Sequence, residues 1–252
     1  KTYRFDGHSQ IFDVSQRVLD QTFKISNCSE YQKDVVSKKG KVFFLSQQEK
    51  LNEALKEQIR FFRNYINHEN IVNGLAEINT VRILCATKGG DFGVFEMNKK
   101  VEMVLEKDGL IKTGNEFYHN QLIMITKNNY QSGLFNGDVG LVREDNNGKL
   151  KFFIEDKTNS DGYRSFPVAY IKEWQTAYAM TIHKSQGSEF RQVVICLPKN
   201  EHSKILSKEL LYTAITRSTN QVFIVGNENV INNCVANSTQ KASGIKNRLS
   251  KI

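Results

Sequence analysis

Five short stretches of this sequence are almost unbroken apolar residue: 42–45 (VFFL), 81–86 (VRILCA), 177–182 (AYAMTI), 193–197 (VVICL) and 222–225 (VFIV). Strands with one wet face alternate polar and apolar positions; runs without that alternation fit strands covered on both faces. Helical patterns lie between the runs. Ser46 with Glu49 has the pattern of a capping box, and Leu51, Leu55, Ile59, Phe62 and Ile66 follow as one apolar stripe at helical spacing. Strand, helix, strand, helix in this order predicts a parallel α/β layer.

Residues 117–171 break the rhythm. A strand over 121–126 is followed by the turn signal Asn136-Gly137-Asp138, and strands over 139–144 and 150–155 flank Asn146-Asn147-Gly148, a strong hairpin signal. A last strand over 165–171 carries Pro167, which suits a sheet edge. An all-β insert of about 55 residues inside an α/β domain predicts a small barrel. The chain therefore divides into a first α/β segment (1–116), the insert (117–171), and a second α/β segment with an Asn-rich polar tail (172–252).

A net charge of +8 favours polyanionic partners, although a Lys-rich solvated surface explains it equally well. Among the four cysteines no CxxC pair occurs, and Cys85 and Cys196 sit inside apolar runs as small hydrophobes. Neither a disulfide nor a structural metal is expected, and a reducing cytoplasm follows. No run approaches the roughly 18–20 apolar residues of a spanning helix, so no membrane partner is expected. The opening Lys1-Thr2-Tyr3-Arg4 has no signal-peptide pattern. A first residue other than Met suggests a piece of something longer.

Three clusters carry chemistry that packing does not need. The run at 181–190, TIHKSQGSEF, follows an apolar strand with hydroxyls, a histidine, a lysine, a glycine and a carboxylate. Thr181 and His183 can donate to a phosphate, Gly187 admits close backbone approach, and Glu189 can accept from a ribose hydroxyl. The segment 210–218, LLYTAITRS, is an apolar helix ending on Arg217, and Tyr3-Arg4-Phe5-Asp6-Gly7 opens the chain. A guanidinium on a rigid element offers a planar, permanently charged fork for phosphate oxygens. Taken singly, Arg217 is equally a charge satisfying a helix C-terminus, His183 a hydrogen-bonded core residue and Arg4 a solvated one.

In order along the chain, the three clusters resemble motifs IV, V and VI of superfamily 1 helicases. KTYRFDGHSQI, RILCATKGGDFGVFEMN, NYQSGLFNGDVGLV and the closing KASGIKNRL resemble more narrowly the RecD family, the alpha subunits of exodeoxyribonuclease V. The resemblance implies a second RecA-like motor domain (2A) interrupted by an SH3-like barrel (2B), and ATP-driven 5′–3′ translocation on single-stranded DNA in double-strand-break repair. It implies that Arg217 and Arg4 meet the γ-phosphate, that Gln186, Gly187 and Glu189 lie near nucleotide phosphates and ribose, and that Thr181, His183 and Lys184 face the DNA.

The sequence contains neither a glycine-rich phosphate loop ending in Gly-Lys-Ser or Gly-Lys-Thr nor an Asp-Glu pair after an apolar strand. By resemblance these parts, and most of the hold on ATP and Mg2+, belong to an N-terminal motor domain, so this chain alone is expected to be inactive. The implied partners are that domain, single-stranded DNA, and RecB-like and RecC-like subunits. A stand-alone superfamily 1 helicase and a non-catalytic DNA-binding module remain as alternatives. Nuclease chemistry has no clustered Asp/Glu/Lys site to support it. In the insert, Lys127, Tyr130, Phe135 and Arg143 line a strand-binding groove on one reading; on the other, Tyr130 and Phe135 close the barrel core. Trp174 reads as packing at the junction in preference to base stacking.

Overall fold

The computed structural model describes residues 9–31, 39–45, 56–145, 147–200 and 203–239. Ser46, Glu49, Leu51 and Leu55, together with the opening cluster that holds Arg4 and the closing KASGIKNRL, fall outside them.

The apolar runs form one parallel sheet. Its strands are β1 (Lys41–Leu45), β2 (Val81–Cys85), β8 (Ala179–Thr181), β9 (Phe190–Cys196) and β10 (Ser218–Val225), ordered β1-β10-β9-β2-β8. Every neighbouring pair is parallel. Strand β2 is buried at all five positions, as an internal strand covered on both faces must be. The helices that cover the sheet include α1 (Gln10–Leu19), α4 (Val94–Lys107), α5 (Lys208–Ile215) and α6 (Glu228–Ala236). Among the described residues no helix is long and apolar enough to cross a membrane.

The apolar stripe through Ile59, Phe62 and Ile66 survives without a continuous helix. Helix covers 56–60, turns at 61–62, and resumes as α2 (Arg63–Ile66), with α3 (Ile71–Glu77) after it. Ile59 and Phe62 are still buried, because a turn at that point keeps both facing the core.

The insert is a five-stranded antiparallel sheet: β3 (Gln121–Ile125), β4 (Val139–Glu144), β5 (Leu150–Glu155), β6 (Tyr163–Pro167) and β7 (Trp174–Thr176), ordered β6-β5-β4-β3-β7. The hairpin closes where the Asn-Gly signal lies: the Asp145 amide donates to Lys149 O at 2.8 Å, and Gly148 takes φ +72. Pro167 ends β6, which is an edge strand, and 168–170 form a 3-10 turn instead of more strand. The sheet takes its last strand from beyond residue 171, since Trp174 pairs with Ile125. Trp174 lies 4.7 Å from Phe117, centroid to centroid, against the insert's core.

The two faces of this sheet serve different cores. Leu122, Met124, Leu141 and Phe153 join the large core of the α/β unit, whereas Ile123, Ile125, Val142, Phe152 and Ile154 enclose a smaller one with Leu134 and Ile171. Arg143 is not in a surface groove. It is 3% exposed, and its guanidinium donates to Asn120 Oδ1 at 2.9 Å, to Tyr65 O at 2.5 Å and to His68 O, the carbonyl groups at the end of α2. Tyr130 and Phe135 do not close the insert's core: they are 79% and 45% exposed, and Leu134 lies in that core.

At the outer edge of the parallel sheet, Asn98 of α4 lies along β8. Its Nδ2 donates to Thr176 O and Ala179 O, both at 3.1 Å, and its Oδ1 accepts from the Ala179 amide at 2.8 Å.

Candidate functional site

Strand register decides what meets at the C-terminal edge of the parallel sheet. Cys85 is level with Thr181 on one side and Cys196 on the other, so the loops after β2, β8 and β9 leave from one row. Open α/β sheets bind ligands at this edge.

After β8 the chain is held in a short 3-10 turn, Ile182–Ser185. Thr181 caps it, its Oγ1 accepting from the Lys184 amide at 3.4 Å. Ile182 and Ser185 point inward, and Ser185 Oγ donates to Ile182 O at 2.7 Å. Anchoring those two leaves His183 exposed and Lys184 half-buried on the outside. Next come Gln186, Gly187 at φ +90, Ser188 and Glu189, all exposed. A side chain at Gly187 would be strained by that φ, although open space surrounds the position. The loop ends where the Phe190 amide donates to Arg217 O at 2.9 Å.

Helix α5 begins at the Ser207 cap and stops at Thr216. Arg217 turns back beside it: Nε donates to Thr213 O and Nη1 to Ser188 O, each at 3.2 Å. The guanidinium thus lies against the 186–189 loop, half-buried. Two runs separated by some twenty residues in sequence are joined here by a direct hydrogen bond. Thr181, His183 and Lys184 therefore lie at the C-terminal edge, while the loop through Gln186, Gly187 and Glu189 runs from there to the start of β9, at the other end of the strands, where it meets Arg217 just before β10. Lys127 belongs to the other unit, exposed just past β3, and Arg4 falls outside the described residues.

Lys88 joins the site from the loop after β2. Burial, followed by the charge of Lys88, pushes the Lys184 ammonium below its ordinary range. An anion between two such lysines would relieve both costs. The loop carrying Lys88 is tight: the Val94 amide donates to Thr87 O at 3.1 Å, and a Cβ on Gly93 would stand 2.3 Å from Gly89 O. Beyond it, Lys199 pairs with Asp91, whose carboxyl is held below the usual range mainly by that bond. The sequence signal for Lys88 is its place two residues past an apolar strand, which gains meaning only once β2 and β8 are neighbours.

A groove of about 1100 Å3 opens beside the turn, lined by Ile182, His183, Gln186, Leu206, Leu210 and Thr213 among others. Among the described residues, no three His, Cys, Asp or Glu side chains cluster as metal ligands do. Donors for phosphate oxygens are present along this turn and loop.

A family model for the UvrD-like helicase C-terminal domain matches residues 176–225, the segment that holds the turn, β9, α5 and β10. RecBCD enzyme subunit RecD of Buchnera aphidicola subsp. Acyrthosiphon pisum is 32% identical across 96% of this chain and 40% of its own length. The Mycobacterium tuberculosis subunit of the same name is 34% identical over 69% of this chain and 30% of its own. A solved structure of Bacteroides Pif1 bound to single-stranded DNA covers 99% of the chain and 55% of its own, at 16% identity and a TM-score of 0.40, too loose a likeness to argue from. The chain spans less than half the length of the relatives it matches, and it is a RecD-like sequence that corresponds to their C-terminal region.

Proposed function

We propose that the chain is the C-terminal motor portion of a RecD-type, ATP-dependent 5′–3′ DNA helicase. Its α/β unit is the second RecA-like domain and its antiparallel insert an SH3-like barrel; the sequence division at 1–116, 117–171 and 172–252 is extended so that the insert takes in β7, to Thr176. The observation that supports this reading is the guanidinium of Arg217 lying on the Ser188 carbonyl, which joins the two chemically loaded runs directly.

Within that reading, Arg217 and Arg4 reach the γ-phosphate of ATP from outside its main pocket. Gly187 lets the backbone approach the phosphates, Gln186 donates to them, and Glu189 accepts from the ribose. Thr181, His183 and Lys184, with Lys88, hold phosphates of a single DNA strand, and Lys127 adds a contact from the insert. ATP with Mg2+ supplies the cleavable phosphoryl group when bound on the facing motor domain, which carries the phosphate loop. The chain by itself hydrolyses no ATP.

RecB-like and RecC-like subunits are the partners, a cytoplasmic enzyme acting at double-strand breaks the setting, and nuclease activity the task of another subunit. A second reading, a helicase working without such subunits, draws on 28% identity to the ATP-dependent RecD2 DNA helicase of Deinococcus radiodurans over 62% of this chain.

The test is Arg217→Ala in the intact helicase. A finger of this kind contributes about 10³-fold or more to phosphoryl transfer, so DNA-stimulated ATPase falls by that order while single-strand binding persists. Unchanged turnover would remove Arg217 from the nucleotide site. In parallel, Lys184→Ala reduces the dependence of log K for single-stranded DNA on log salt by about 0.7.

A further inference from the structure

The loop at 126–138 of the insert is built to be stiff and to hold two aromatic rings in solvent. Asn129 and Leu134 exchange backbone hydrogen bonds at 2.7 and 3.1 Å, and Leu134 is anchored in the small core. Asn129 Oδ1 accepts from the amides of Gln131 and Ser132, Asn128 Oδ1 from that of Asn136, and Asp138 Oδ2 from that of Phe135. Arg164 ties Gly133 O down at 3.1 Å. The loop's polar side chains are thus largely spent on its own backbone.

Tyr130 and Phe135 remain outside, 79% and 45% exposed, edge to face with centroids 6.2 Å apart. Asn128 Nδ2 donates to the Tyr130 hydroxyl at 3.3 Å, which holds that ring in place. Leaving two large rings in water is unfavourable unless something covers them. Within 126–138 they are the only large apolar side chains so exposed, and their neighbours Lys127, Asn128, Gln131 and Asn136 are polar. A protein-docking patch would have a broader apolar surround of a few hundred Å2. Separate flat rings beside a cation on a rigid loop suit stacked bases with a phosphate chain alongside.

We propose that Tyr130 and Phe135 form a base-stacking station for single-stranded nucleic acid, with Lys127 beside them holding its backbone. This rests on the helicase reading and adds to it a contact to bases, where the sheet edge offers only contacts to phosphates. A strand crossing the sheet edge is then held at a second point, on the insert.

The test is binding of a fluorescent oligothymidylate to the full chain across a salt series. The double variant Tyr130→Ala/Phe135→Ala binds at least about tenfold more weakly with an unchanged salt slope, because stacking involves no phosphate. Tyr130→Phe, which keeps the ring and loses only the bond from Asn128, retains most of the affinity, and Lys127→Gln lowers the slope by about 0.7. An oligonucleotide with abasic positions binds the unaltered chain as weakly as the double variant binds the normal one. Both rings are exposed, so an unchanged thermal transition shows the variant is folded. Full affinity in the double variant overturns the station and leaves a protein as occupant of the rings. If His183→Ala/Lys184→Ala then still loses binding, the helicase reading stands; if the unaltered chain binds no single strand, both fall together.

Discussion

Strands β2 and β3 are each five residues long and buried at every position, yet they are covered for different reasons. β2 lies inside a parallel sheet, between β9 and β8, within one large core. β3 belongs to an antiparallel sheet and separates two cores: Leu122 and Met124 face the α/β unit, Ile123 and Ile125 the insert's own interior. The insert is therefore joined to the α/β unit through the packed face of a sheet. Arg143 adds a polar tie from β4 to the end of α2. The lesson is that uninterrupted apolar sequence reports burial on both faces without saying how many cores provide it.

The comparison breaks most readily through the small core. Phe152→Ala costs about 3–5 kcal/mol, and amide exchange should show the loss in β4 and β5 while β9 and β10 keep their protection. Equal loss in both sheets would mean that the two cores unfold as one. Leu141→Ala, on the shared face, costs about 2–5 kcal/mol and should lower protection in both units together. Arg143→Met leaves the carbonyls of Tyr65 and His68 unpaired for about 2–3 kcal/mol, and sharpens the contrast if it loosens α2 and β4 ahead of either core. Gly187→Ala tests the parallel sheet's edge: left-handed backbone costs a non-glycine residue about 1 kcal/mol, which a modest drop in melting temperature would register.

The smallest effect is a pH dependence at the β4–β5 turn. Backbone amides of Lys149 and Asn147 and the ammonium of Lys151, the Lys149 amide foremost, hold the Asp145 carboxyl below the usual range. Its stabilisation is therefore complete above the ordinary carboxylate range and is lost as pH falls through the lowered value. The protection of the turn amides relative to their intrinsic exchange rate, followed from neutral to acid pH, should fall there in the unaltered chain and show no such step in Asp145→Asn.

Much of the parallel sheet is legible in the sequence, because a doubly covered strand tolerates few polar residues. The hairpin is legible too, since Asn-Gly favours the positive φ that its turn requires. The interruption at 61–62 is not, because the residues on either side of it still face inward and the periodicity persists through the turn. Arg143 looks like surface from sequence; burial of a guanidinium depends on carbonyl partners 74 or more residues away. At the site, the loop chemistry at 181–190 is plain, and the contact of Arg217 with Ser188 is its structural counterpart. Lys88 was hidden for a different reason. Its pairing with Lys184 depends on which strands are neighbours, and strand order is not written in local pattern.

Asn98 carries a consequence for what this molecule can join. An outermost strand normally offers its unused amide and carbonyl to any extended segment that drifts past, and stacking of foreign chains starts there. At Ala179 a carboxamide from α4 occupies both groups, imitating the backbone of a further strand without being one. Neighbouring molecules are thereby denied Ala179 as a point of strand pairing on that rim.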